Sequence, residues 1–132
     1  MSKKPTRYAE GTTTSIENSK AEIERTLRRY GVTSSAFMST PTSGAVVFEA
    51  VGCRIRFDVP QGRDEKENKR QWRVALLRIK TRLEEAASTG EPLQSVFLSN
   101  IVLPDGSTVG QKLLPELIEV AKGKPLPPLL GY

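Results

Sequence analysis

CRIRFDVPQGRDEKENKRQWRVALLRIKTRLEEAA, residues 53–87, holds the two periodicities from which the fold follows. Cys53, Ile55, Phe57 and Val59 alternate with Arg54, Arg56 and Asp58, a period of two that predicts a strand with one apolar face. Pro60 and Gly62 end it. Arg63–Asn68 is charged and reads as a loop or a first helical turn. From about Lys66 to Ala87 the period changes. Trp72, Leu76, Ile79 and Leu83, with Ala75, Ala86 and Ala87 beside them, draw an apolar stripe along a helix. At about 1.5 Å per residue this element spans roughly 33 Å.

Toward the N-terminus, Ala45–Val51 reads as a second strand, and Gly52 as a tight reversal into Cys53. Ala36-Phe37-Met38 is a shorter strand, joined to the second by the turn chemistry of Pro41-Thr42-Ser43-Gly44. Before these, Ile16, Ile23, Leu27 and Tyr30 recur at helical spacing. Ser15 or Ser19 offers a cap, and Gly31 stands where a C-terminal glycine belongs, so a helix is expected from about Ile16 to Tyr30. Residues 1–14 are polar, with three consecutive Thr, and are expected to form a flexible arm.

Toward the C-terminus, Thr89-Gly90 stops the long helix, and Glu91-Pro92 opens a shorter one carrying Leu93, Val96, Phe97 and Ile101. Leu103-Pro104-Asp105-Gly106 is a turn, with the Asp105 carboxylate placed to accept from the backbone two residues on. Ser107 or Thr108 caps a last helix, from Val109 to about Ala121. It carries Leu113, Leu117 and Val120 and is kinked or split at Pro115. Residues 124–132 (KPLPPLLGY) favour an extended tail that latches onto its own core, onto a neighbouring subunit or onto a partner. The expected architecture is α+β, a single domain over residues 15–123. A three-stranded antiparallel meander packs on a long central helix, and an N-terminal helix and two shorter C-terminal helices complete the core.

The chain of 132 residues is long enough for one domain with a core. A single cysteine, Cys53, allows no internal disulfide and fits a reducing compartment. There is no signal-like N-terminus and no apolar run long enough to span a bilayer, so a soluble cytoplasmic protein without membrane contact is expected. Histidine is absent. That excludes Ser-His-Asp triads, Cys-His dyads and Cys/His zinc sites. No cofactor is expected and no catalytic residue is assigned. Glu49 and Asp58 lie on neighbouring strands, where two acids can hold Mg²⁺. They lack a third acid, and read as ion-pair partners of Arg54 and Arg56. Cys53, in phase with Ile55 and Phe57, reads as an inert buried thiol.

Positive charge is concentrated in one segment. From Arg54 to Arg82 there are ten Lys/Arg against four acids, a net +6 in a chain of net +5. Such a field points to a polyanionic partner, most simply nucleic acid. The expected phosphate-binding residues are Arg54 and Arg56 on the strand, with Lys66, Lys69, Arg70, Arg73 and Lys80 along one side of the Trp72 stripe. The two sets are expected to form one surface. Phe37, beside Met38 on the short strand, is the one aromatic placed as a candidate for base stacking. Two readings from other classes compete. One is an anti-defence protein that binds a host factor or sequesters an anionic nucleotide, since an Arg cluster fits phosphate in any carrier. The other is a homo-oligomeric structural protein whose charge serves solubility.

Three runs carry a resemblance: Ser19-Lys20-Ala21-Glu22-Ile23-Glu24 ending in Arg29-Tyr30-Gly31; Arg70-Gln71-Trp72-Arg73 opening the long helix; and Ile101-Val102-Leu103-Pro104-Asp105-Gly106-Ser107-Thr108-Val109-Gly110, followed by Leu126-Pro127-Pro128-Leu129-Leu130. Together they resemble a family of small phage and prophage proteins of bacteria that carries no established function. The chain is shorter than some members between its third strand and the Trp72 helix. The resemblance implies a phage or prophage accessory protein acting in the cytoplasm of a bacterial host.

Overall fold

The computed structural model describes the backbone of residues 7–123 and 125–129, with side chains from Thr14 onward. Residues 1–6 of the expected arm, and 124 and 130–132 of the expected tail, lie outside the described residues. Helix α1 (Arg7–Arg29) leads into strands β1 (Ser34–Ser39), β2 (Gly44–Ala50) and β3 (Cys53–Asp58). Helix α2 (Glu65–Thr89) follows, then a single turn α3 (Leu93–Val96), a 3-10 turn over Leu98–Asn100, and α4 (Val109–Gly123). The strands form an antiparallel sheet in the order β1-β2-β3, as the alternation predicts.

The ends of both long helices are set by local chemistry. Val32 N–H bonds Leu27 O and Gly31 N–H bonds Arg28 O, a paired cap that closes α1 with Gly31 in the left-handed region at φ 87°. Val32 and Leu27, brought together by it, are both buried. Asp64 caps α2, its carboxylate accepting from Lys66 N and Glu67 N. Helix α1 starts about two turns earlier than expected. Ser19, read as a capping residue, lies inside the helix and is buried. Once the Ile23–Leu27 turns are nucleated against the core, each residue added upstream gains a backbone bond at little further cost.

Helices α1 and α2 pack side by side on one face of the sheet. Ile23 and Leu27 meet Trp72, Leu76, Ile79 and Leu83 there, over Val46, Phe48, Ile55 and Phe57. Phe57 stacks with Phe48 at 6.5 Å between centroids, and Phe97 from the C-terminal side of α3 stands edge-on to both, at 5.7 and 5.3 Å. Trp72 fills the other end of the core. Its ring lies against Phe37, and Lys20 Nζ sits 4.7 Å above it. A Cβ at Gly44 would stand 3.0 Å from Trp72 Cζ2, so the start of β2 is shaped around the indole.

The C-terminal part departs from the expected packing. The short helix predicted over Leu93–Ile101 is split, because Ile101 leaves the helical path to bridge Ile55 of β3, and Val102 N–H bonds Arg54 O. Helix α4 forms where expected but does not complete the core. None of its residues is buried, and Leu113, Leu114, Leu117 and Ile118 are exposed. Pro115 lies inside it and leaves Gln111 O without its i+4 donor. Leu126 and Leu129 of the tail are exposed as well, so these residues do not latch onto the core.

The β2–β3 reversal carries strain. Val51 and Gly52 both have positive φ, 49° and 78°, the geometry of a two-residue type I′ turn. A β-branched residue there costs on the order of 1–3 kcal/mol. Val51→Asn is expected to raise stability by about 1 kcal/mol, read as a higher denaturation midpoint at unchanged m-value. Trp72→Ala is expected to lose about 3–5 kcal/mol, measured by chemical denaturation followed by circular dichroism. A much smaller loss would mean that the Gly44 end of the core collapses onto the void.

Candidate nucleic-acid interface

The seven cations expected to bind phosphate fall into two groups separated by the sheet. On β3 the alternation turns Ile55 and Phe57 into the core beneath α1 and α2, so Arg54 and Arg56 face the opposite side. The single strand–helix surface expected from the sequence is therefore not formed. Arg54 is paired with Glu49, its direct ladder partner, Nη2 to Oε2 at 2.7 Å. Arg56 is more deeply committed. It donates from Nη1 to Gly106 O at 2.9 Å and from Nη2 to Gln111 Oε1 at 3.0 Å, and its Nε lies 3.1 Å from Asp58 Oδ1. Glu49 and Asp58 are thus ion-pair partners of the two arginines. Arg56 is a clamp between the sheet and the C-terminal segment.

The helix cations form a coherent set. Lys66, Lys69, Arg70, Arg73 and Lys80 occupy one flank of α2, to one side of the buried Trp72–Leu76–Ile79–Leu83 stripe. From Lys66 to Lys80 the flank runs about 21 Å at the helical rise. Arg70 is held by Glu67 through two hydrogen bonds, at 3.0 and 2.8 Å. Those bonds, with a third from Gln71, keep the Glu67 carboxyl down at about 2, and the Glu67 carboxylate in turn raises Arg70. Lys69, Arg73 and Lys80 have no hydrogen-bond or ion-pair partner among the described residues. The other arginines of α2 are used internally: Arg78 lies 4.9 Å over the Phe57 ring, and Arg82 donates to Val96 O.

Phe37 is not an open stacking platform. It pairs with Val46 on β2, shares the core-facing phase, and turns its ring to Trp72 at 6.2 Å. The exposed residue of the pair is Met38. Cys53 is half-buried rather than buried, because it opens β3 at the hairpin end. No three of His, Cys, Asp and Glu converge as a metal site among the described residues.

Beside this interface, the attachment of α4 is built from polar groups that composition alone does not reveal. Thr108 and Gln111 form a capping box: Gln111 N–H donates to Thr108 Oγ1, and Thr108 N–H donates to Gln111 Oε1, the oxygen that also accepts from Arg56. The Thr-x-x-Gln spacing is the signal in the sequence that identifies it. Asp105 accepts from Ser107 N–H and Ser107 Oγ and pairs with Lys112 Nζ at 2.9 Å. The Ser107 hydroxyl, then Lys112, then the Ser107 amide hold its carboxyl well below the usual carboxylate range.

No protein-family model, curated protein or solved structure matches this chain. No helix among the described residues is long and apolar enough to cross a membrane.

Asp105 gives the attachment of α4 a defined pH dependence. Its folded value lies below its unfolded value of about 3.9, so its contribution is complete above that value and is lost as pH falls through the folded one. The protection factors of the α4 amides, which correct for the intrinsic pH dependence of exchange, are therefore expected to fall on acidification below about pH 4. Asp105→Asn should show the lower protection at neutral pH and a flatter response of protection to acid.

Proposed function

We propose that this protein is a small non-enzymatic accessory protein of phage type that binds nucleic acid phosphates through the exposed flank of α2, in the cytoplasm of a bacterial host. One observation carries the reading: Lys69, Arg73 and Lys80 project along a single helix flank with no acid partner among the described residues. Lys66 and Arg70 extend the flank, Arg70 by exchanging Glu67 for phosphate. A straight, solvent-facing row of cations fits a regularly charged polymer. It binds through counterion release, with little dependence on base sequence. Arg54 and Arg56 are assigned to internal ion pairs, which weakens the competing reading of a nucleotide pocket on the outer face of the sheet.

Titration of labelled single-stranded and duplex oligonucleotides at several salt concentrations tests this. Log affinity against log salt is expected to be linear, with a slope of about −0.7 to −0.9 per phosphate engaged. Arg73→Glu and Lys80→Glu should each weaken all sequences about equally and flatten the slope. Arg54→Gln should leave both unchanged. Absence of binding at low salt, where such attraction is strongest, would sink the proposal. Tight, salt-insensitive binding of a mononucleotide abolished by Arg54→Gln would assign the function to the outer face instead.

A further inference from the structure

The strongest unexplained feature is α4. One half of its circumference is apolar (Val109, Leu113, Leu114, Leu117, Ile118, Val120), and the other carries Gln111, Lys112, Glu116, Glu119 and Lys122. Among the described residues, its hydrogen bonds to the rest of the domain all come from its first turn, where Val109 N–H bonds Ile101 O, Gln111 meets Arg56 and Lys112 meets Asp105. Leu113, Leu114, Leu117, Ile118 and Val120 are 39–59% exposed. With Leu98 nearby they leave on the order of 500 Å² of apolar surface in water, as large as the largest patch on a typical monomer. A helix of this length with a proline inside it is marginal in water by itself, and is normally stabilised by covering its apolar face.

The same region contains a receptor. A cavity of about 610 Å³ opens between the α3 segment and α4, lined on its apolar side by Val96, Leu98, Val109, Leu113, Leu114 and Leu117. Ile118 is exposed, lies outside that lining and stands at the edge of the apolar arc next to Leu114. The surface therefore presents a groove and an apolar ridge on one helix, which is what a two-fold, self-complementary contact requires.

We infer that the occupant is a second copy of this chain, with α4 packed antiparallel on α4 and Ile118 of each copy seated in the groove of the other. Charge favours this partner. The chain is +5 overall, but α4 holds two Lys and two Glu, so two copies meet there without net repulsion. The same balance disfavours a lipid surface, which selects helices whose polar face is rich in Lys and Arg. The inference does not depend on the nucleic-acid reading. If both hold, the dimer carries two basic flanks, and its avidity for a long polyanion exceeds that of one copy.

Sedimentation equilibrium of the full chain from about 1 to 200 μM, a range that brackets micromolar association, tests it directly. The expected mass is twice the chain's 14.6 kDa. Leu114→Glu in the groove and Ile118→Lys on the ridge should each give a monomer with unchanged circular dichroism, since both side chains face solvent in the single chain. Mixing the two variants should restore the dimer. One of its two contacts then pairs the new Lys with the new Glu, and the other is wild type. A wild-type chain that stays monomeric throughout overturns the inference, and so does a dimer that survives both substitutions. A monomer that instead floats with vesicles of 30% phosphatidylserine would assign α4 to membranes. The monomeric variants also separate the two proposals, because each should keep the salt-dependent binding of a short oligonucleotide if α2 is the phosphate site.

Discussion

Phe57 is the residue through which the two halves of the chain are joined. Its ring stacks on Phe48 of β2, receives the edge of Phe97, and lies under the Arg78 guanidinium of α2. Phe97, fixed in this cluster, sets where the chain emerges from α3. From that point Ile101 reaches Ile55, and Val102 continues the ladder onto Arg54 O. The added bridge brings the 103–108 turn to the outer face of the sheet, within reach of Arg56. Arg56 in turn holds Gly106 and Gln111 and so fixes the base of α4. A dispersion contact in the core thus determines, through a short series of hydrogen bonds, where an exposed helix begins.

That sequence of contacts explains which parts of the fold could be read in advance. The alternation in Cys53–Val59 and the Trp72–Leu83 stripe are properties of one element each, and the sheet order and the long helix followed from them. The ion pairs Glu49–Arg54 and Asp58–Arg56 were also legible, since cross-strand and same-face neighbours are set by a period of two. The position of Arg56 relative to α2 was not. It depends on which face of the sheet the helices cover, a property of the assembled layers. Phe37 shows the same limit: its phase is fixed by the pairing with Val46, and a three-residue strand read in isolation does not reveal its partner.

The exposure of α4 was missed for a different reason. A broad apolar arc on a helix states that the face is to be covered, and in a single chain the nearest cover is the chain's own core. Here the core is already closed by α1 and α2 over the sheet, with Trp72, Leu76, Ile79 and Leu83 filling the space. The Arg56 clamp fixes the first turn of α4 beside the 3-10 turn, with the rest of the helix in solvent. The charge distribution divides in a parallel way. Cations near acids on the sheet are neutralised by them, and on the α2 flank Lys69, Arg73 and Lys80 have no acid partner among the described residues.

The single tryptophan has a spectroscopic consequence. Trp72 is fully buried, its Nε1–H has no partner among the described residues, and an ammonium group lies over its ring. An indole so fully withdrawn from solvent emits at short wavelength. Its surroundings come from α1, β1 and the start of β2, whereas α4 is anchored at the 3-10 turn and at Arg56. Its fluorescence is therefore a native reporter of the helix–sheet core. It will register global unfolding and stay silent while α4 frays, so opening of that helix must be followed by another signal, such as amide exchange.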